Sequence, residues 1–105
     1  ARLLEITLTN PIHRKMASIE EQFEAAQIKL KTLTERPGND ELLRIYGLFK
    51  QATEGDNETK KPGMFDMKGQ FKWQSWKDNE GKSVQDACQG YVDLVNELLG
   101  KYKHS

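Results

Sequence analysis

The groups in this chain best suited to chemistry are a phenol and a few ammonium side chains. Tyr46 and Lys50 stand four positions apart, so on a helix they share one face. A hydroxyl that donates a hydrogen bond, set beside a cation, can hold a phosphate. Lys72, next to Trp73, offers a second cation from farther along the chain; Lys31 offers another, and Tyr91 a flat aromatic surface. Each residue also has a plain reading, because lysines are usually solvated and tyrosines at helical spacing usually pack. The residues alone leave a phosphate-bearing ligand open rather than assigned. Covalent catalysis has no visible apparatus: no Ser, Cys or His stands with an arranged base partner. Cys88 is the only cysteine, which excludes an internal disulfide and a cysteine metal cage. His13 and His104 lie near opposite ends without an acidic cluster, so no metal site, no cofactor and no catalytic residue are expected.

Such groups need a scaffold, and 105 residues suit one domain with one core. Sixteen Lys and Arg balance sixteen Asp and Glu. No global field therefore favours nucleic acid or a membrane, and any anion site must be local. No apolar run approaches the ~20 residues of a membrane-spanning helix. A lone thiol fits a reducing compartment. Residues 1–17 differ from the rest. Leu4, Ile6 and Leu8 alternate with polar residues up to Asn10-Pro11, a short strand-like pattern. This segment reads as a leader, a linker or an added piece, or as a targeting remnant, against which Glu5 counts. The domain proper spans residues 18–105.

Beyond Ala17 the chain reads as four helices with clear punctuation. Ser18 followed by Glu21 is a capping-box signature, and Ile19, Phe23, Ala26, Leu30 and Leu33 form one stripe that Pro37-Gly38 ends. Asn39 is the expected N-cap of a second helix, with Asp40 and Glu41 at its positive end. That helix runs to about Glu54 and stops at Gly55. Its Leu42, Leu43, Ile45, Tyr46, Phe49 and Ala52 are too many for one narrow stripe. A long connection follows to Lys68, of the kind that often serves a binding site; Met64, Phe65 and Met67 are expected to pack it down. A third helix spans about Gly69–Asn79 and carries Trp73 and Trp76. Gly81 breaks it, and Ser83 with Asp86 caps a fourth helix bearing Ala87, Tyr91, Val92, Val95, Leu98, Leu99 and Tyr102. The expected class is all-α.

Three runs carry a family resemblance: Arg44-Ile-Tyr-Gly-Leu-Phe-Lys-Gln-Ala-Thr-Glu-Gly-Asp56, Lys61-Pro-Gly-Met-Phe-Asp66 and Lys72-Trp-Gln-Ser-Trp76. Together, and in this order, they resemble the signature of the acyl-CoA-binding protein family. Leu33-Thr-Glu-Arg-Pro37 and Tyr91-Val-Asp-Leu-Val95 also fit, so the likeness covers roughly Ser18 to Tyr102. It implies an up-down-down-up four-helix bundle that binds long-chain fatty acyl-CoA in a surface bowl. By the same analogy Tyr46, Lys50 and Lys72 hold the ribose 3′-phosphate, and Lys31 and Tyr91 match positions at the nucleotide head. Leu42, Leu43 and Ile45 match the acyl channel; Trp73 falls at the ligand edge and Trp76 in the packing. Two positions depart from the pattern: Phe49, counted among the ligand-binding positions, stands where the family has a second tyrosine beside the signature lysine, so one hydroxyl is missing, and Gln27 replaces a small residue.

The function this resemblance implies is a non-catalytic intracellular carrier and buffer of acyl-CoA. It is expected to be a cytoplasmic monomer with transient contacts to membranes or acyl-CoA-using enzymes. A mitochondrial or peroxisomal site is expected instead if the first segment is a targeting remnant. The alternatives are a binding module of a larger lipid-metabolism or membrane-anchored protein, and a helical interaction module whose bowl is vestigial.

Overall fold

The computed structural model describes residues 18–105; the strand-like pattern over Leu4–Leu8 lies outside the described residues. Four helices follow one another: α1 (Ile19–Leu30), α2 (Asn39–Glu54), α3 (Met67–Lys77) and α4 (Val84–Lys101).

Local chemistry starts each helix. The Ser18 hydroxyl accepts from the Glu21 amide at 3.1 Å while the Glu21 carboxylate accepts from the Ser18 amide at 3.0 Å, the reciprocal box expected. Ser83 likewise accepts from the Asp86 amide at 3.0 Å and opens α4. The other two starts shift. Gly38, not Asn39, is the N-cap of α2; with no side chain there, the Glu41 carboxylate reaches back to the Gly38 amide at 2.8 Å. Helix α3 begins at Met67 rather than Gly69, because the Asp66 carboxylate accepts from the Gly69 amide at 2.9 Å.

Helix α1 stops at Leu30, one turn before the expected stripe is complete. Lys31, Thr32 and Leu33 N–H bond back three residues in a tightened last turn, and the backbone then pairs with the C-terminal segment: Thr34 N–H donates to the Lys103 carbonyl at 2.8 Å and Ser105 N–H to the Thr32 carbonyl at 2.9 Å. Leu33 and His104 form an isolated bridge there. Paired backbone groups have no need of another helical turn.

Helix α4 packs against α1 and α2, and α2 also packs against α3. Cross-contacts set the directions. Phe23 meets Tyr91 and Leu33 meets His104, so α1 and α4 run parallel. Glu41 meets Lys101 and Gln51 reaches the Lys82 carbonyl, so α2 opposes α4. Tyr46 meets Lys72 and Lys50 meets Trp76, so α3 runs with α2. The result is the up-down-down-up bundle. Phe23, Ala26, Ile45, Ala52, Ala87, Cys88, Tyr91, Leu94, Val95 and Leu98 form its core. Burial pushes the Cys88 thiol above its ordinary pKa, with the Glu20 charge adding to it, so it behaves as an inert small hydrophobe.

Between α2 and α3 the chain is fastened by polar groups. Gly55 ends α2 with φ of 80°, a conformation glycine adopts without strain, and its carbonyl accepts from the Trp76 indole at 2.7 Å. Buried Asn57 donates to the Trp73 carbonyl at 3.0 Å and accepts from the Thr59 amide at 2.9 Å. The Asp56 carboxylate accepts from Gly81 N–H and from Gln51, both at 2.9 Å; those bonds hold its pKa below the ordinary value. The expectation that Met64, Phe65 and Met67 pack the connection down is corrected. All three are exposed, because Asn57 and the two indoles already hold the segment.

Candidate ligand-binding site

Helices α2 and α3 form the two walls of an open groove of about 760 Å³. Their approach is close because residue 47 is glycine: a Cβ there would lie 2.2 Å from the Ser75 carbonyl oxygen. Into this groove the structure brings Leu42, Leu43 and Tyr46 from α2 and Lys72 from α3. The Lys72 ammonium stands 5.3 Å from the centre of the Tyr46 ring, so phenol and cation form one unit before any ligand arrives. Leu42 and Leu43 are half-buried and supply apolar wall.

Lys50 lies one helical turn beyond Tyr46 on the same side of α2, facing Trp76 at 4.8 Å from the ring centre. It is ion-paired with Glu54. Its charge is therefore near the groove and held by a carboxylate and an indole, not pointing free into it. Trp73, next to Lys72 in sequence, is half-buried and faces the α2–α3 connection rather than lining the groove, with its indole N–H donating to the Thr59 carbonyl at 2.9 Å and Lys61 5.9 Å from its ring centre. Trp76 is buried, the packing role assigned to it.

The remaining residues singled out from the sequence lie apart from the groove wall. Ile45 and Tyr91 are in the core, Ile45 because the face of α2 that carries it turns toward α4. Phe49 stacks on Phe23 with ring centres 5.9 Å apart and tilts against Tyr91 at 6.3 Å. This aromatic trio joins α1, α2 and α4, and burial raises the Tyr91 phenol above its ordinary pKa. Lys31 is exposed at the C-cap of α1. Gln27 is half-buried and its amide turns back to the Phe23 carbonyl at 3.4 Å.

The family described as Acyl CoA binding protein matches residues 20–95, a span holding the groove, the aromatic trio and the fastened connection. The chain belongs to the acyl-CoA-binding protein family. An acyl-CoA-binding protein homolog of Drosophila melanogaster is 51% identical over 84 residues, covering 80% of this chain and 98% of that protein. Acyl-CoA-binding protein homolog 1 of Caenorhabditis elegans is 54% identical over 80 residues, covering 76% and 93%. The crystal structure of Oryza sativa acyl-CoA-binding protein 2 superposes with a TM-score of 0.76 at 42% identity, covering 80% of this chain and 93% of that one. The four-helix bundle is thus the acyl-CoA-binding protein fold.

The groove also contains residues that sequence reasoning passed over: Arg36, Asn39, Asp40, Lys68 and Phe71. A signal existed for two of them. Lys68 stands four residues before Lys72 and Phe71 three after Lys68, so all three share a face of α3. Arg36 carried no such signal, since it sits in the α1–α2 connection. Among the described residues no cluster of three or more His, Cys, Asp or Glu can hold a metal ion. No described helix is long and apolar enough to cross a membrane.

Proposed function

We propose that this member of the family binds long-chain acyl-CoA in the α2–α3 groove and carries it without transforming it. The observation that carries the reading is the Lys72–Tyr46 unit set beside the Leu42–Leu43 wall in one groove, in a chain of this family. A 3′-phosphate bears about two negative charges near neutral pH. Lys72 and the Tyr46 hydroxyl meet it from one side, and Lys50 completes the clamp by exchanging Glu54 for the phosphate. Lys31 approaches from the end of α1, and the Phe49–Tyr91 aromatics and Trp73 border the nucleotide head. The acyl chain is bound by the hydrophobic effect, at about 0.8 kcal/mol per buried methylene at most. Eight further buried methylenes then add up to about 6 kcal/mol before ordering costs.

The protein acts as a monomeric intracellular buffer and needs no cofactor; the buried free thiol suits a reducing cytosol. It hands its cargo to membranes or acyl-CoA-using enzymes. Calorimetric titration with a long-chain acyl-CoA, the matching free fatty acid and coenzyme A tests the reading. The conjugate should bind far more tightly than either half. Equal affinity for the free acid and its CoA ester would remove the phosphate clamp. Thioester turnover that survives purification and vanishes on substitution within this chain would end the carrier reading.

A further inference from the structure

The turn before α3 displays apolar side chains to water. Phe65 is 97% exposed, Met64 74%, Met67 61% and Phe71 54%. Exposure on this scale usually relaxes by collapse onto the fold, and here the backbone prevents it. Asp66 N–H donates to the Gly63 carbonyl at 3.0 Å, and the Asp66 carboxylate is fixed on the Gly69 amide. The Gln70 amide donates to the carbonyls of Pro62 at 3.2 Å and Gly63 at 2.9 Å. The turn is a built projection, not a slack loop.

Its neighbours in sequence are mainly basic. Residues 60–72 hold Lys60, Lys61, Lys68 and Lys72 against Asp66 alone, in a chain of zero formal net charge. All four lysines are exposed, while Asp66 is engaged as the cap of α3. Apolar tips flanked in sequence by Lys60, Lys61 and Lys68 suit an anionic bilayer surface: the tips enter the acyl boundary and these lysines stay with the phosphates. A peptide partner would need a groove, a helix stripe or a sheet edge to lie on, and a single projecting turn is none of these. Lys68, Phe71 and Lys72 also line the α2–α3 groove, so the projection adjoins its opening.

We infer that the Met64–Phe65–Met67 turn is an anchor that docks this protein on anionic lipid bilayers with the groove opening beside the lipid. This deepens the carrier reading and rests on it for its purpose, since cargo would then pass to the bilayer with little exposure to water. The docking itself is measurable on ligand-free protein.

The test is sedimentation of ligand-free protein with vesicles of phosphatidylcholine, with and without phosphatidylserine. Binding should require phosphatidylserine and weaken with salt. Met64→Ser with Phe65→Ser should lower partitioning about tenfold or more, and Lys60→Gln should lower the phosphatidylserine-dependent part about fivefold. Phe65→Trp, which keeps an aromatic tip, should retain binding. All three variants should keep the wild-type melting curve and the wild-type acyl-CoA titration in the absence of vesicles. No sedimentation, or sedimentation indifferent to the Met64 and Phe65 changes, overturns the anchor. So does self-association in sedimentation velocity that those changes abolish, which would make the turn a face for a second copy. Vesicle binding without acyl-CoA binding would leave the anchor standing and remove the carrier reading; the reverse result would remove the anchor alone.

Discussion

Replacing Lys50 and Lys72 by alanine, one at a time, should weaken acyl-CoA binding unequally, and Lys72→Ala should be the more damaging. Both cations are assigned to the same phosphate, and a hydrogen bond to a charged group contributes about 1.5–3 kcal/mol. Their ligand-free states differ. Lys72 rests over the Tyr46 ring, a contact that persists when both groups meet the phosphate, so its loss should cost the full ~1.5–3 kcal/mol. Lys50 must first leave Glu54, in a pair whose carboxylate side chain is 53% exposed. An i,i+4 ion pair of that kind is worth about 0.3–0.5 kcal/mol. Leaving the Trp76 ring forfeits about 0.5–1 kcal/mol more. The net effect of Lys50→Ala is then about 0–2 kcal/mol, or at most roughly 30-fold in affinity.

Two controls isolate the cause. Glu54→Gln releases Lys50 and should tighten binding about twofold, the ion-pair term alone. A dephospho acyl-CoA, lacking the 3′-phosphate, should be nearly indifferent to all three substitutions. Isothermal titration at fixed ionic strength reads these differences directly. The reasoning fails if Lys50→Ala is the worse of the two, if Glu54→Gln weakens binding, or if the dephospho ligand loses as much as the intact one.

Gly47→Ala should lower the melting temperature although alanine favours helix. Overpacking costs about 1–3 kcal/mol, propensity returns about 0.8–1 kcal/mol, and the clash falls on the Ser75 backbone, which has no rotamer to change; an unchanged melting curve would contradict the close approach. Asn57→Ala removes the bonds to the Trp73 carbonyl and from the Thr59 amide and should cost about 1–3 kcal/mol, the net of two hydrogen bonds; hydrogen exchange should rise first in residues 57–66. Glu41 is held down to about 2 from its ordinary 4.5 by hydrogen bonds from Lys101, Tyr102 and Gly38. A lowered carboxylate pKa gives stability that is complete above the unfolded value and is lost as pH falls through the folded one, so acid unfolding should steepen between about 4.5 and 2. Glu41→Gln should flatten denaturant midpoints across that window; an identical pH profile would show that the carboxylate does not set it.

What the sequence revealed was mostly what is decided within one turn. Ser18–Glu21 and Ser83–Asp86 read correctly because each cap closes over three residues. The end of α1 did not, since Thr34 and Thr32 find their partners at Lys103 and Ser105, and no local pattern announces a pairing that distant. The connection before α3 misled in another way. A hydrophobic pattern makes Met64, Phe65 and Met67 look like its anchors, whereas the anchors are polar: Asn57, Gln70 and two indole N–H groups. Within the site, the spacing of Tyr46 and Lys50 correctly put both on one face of α2, and that face meets α3. Lys72 was legible only as a second cation from α3, and its grouping with Tyr46 came from family resemblance; that it lies over the Tyr46 ring depends on how two helices slide past each other.

The surplus of apolar residues on α2 is where fold and function meet. Two positions along a helix turn it by about 200°, so Ile45 faces nearly opposite to Leu43. Ile45 and Ala52 are in the core, and Leu48 points at Gly90 of α4, where an added Cβ would lie 3.1 Å from its methyl. Leu43, Tyr46 and Lys50 take the other side, toward α3. A single-stripe helix would bury one face and leave α3 with nothing to pack on; α2 instead serves two neighbours. Gly47 then decides how deep the second contact is. Because it lacks a Cβ, α3 comes close enough to set Lys72 over Tyr46, yet the two helices stay apart at Leu42, Leu43 and Phe71, where the groove remains open. Toward Gly47 the groove carries the Lys72–Tyr46 unit, and farther out Leu42, Leu43 and Phe71 give apolar wall beside Arg36, Asp40 and Lys68. On the function proposed above, the first would meet the head of an acyl-CoA and the apolar wall its tail.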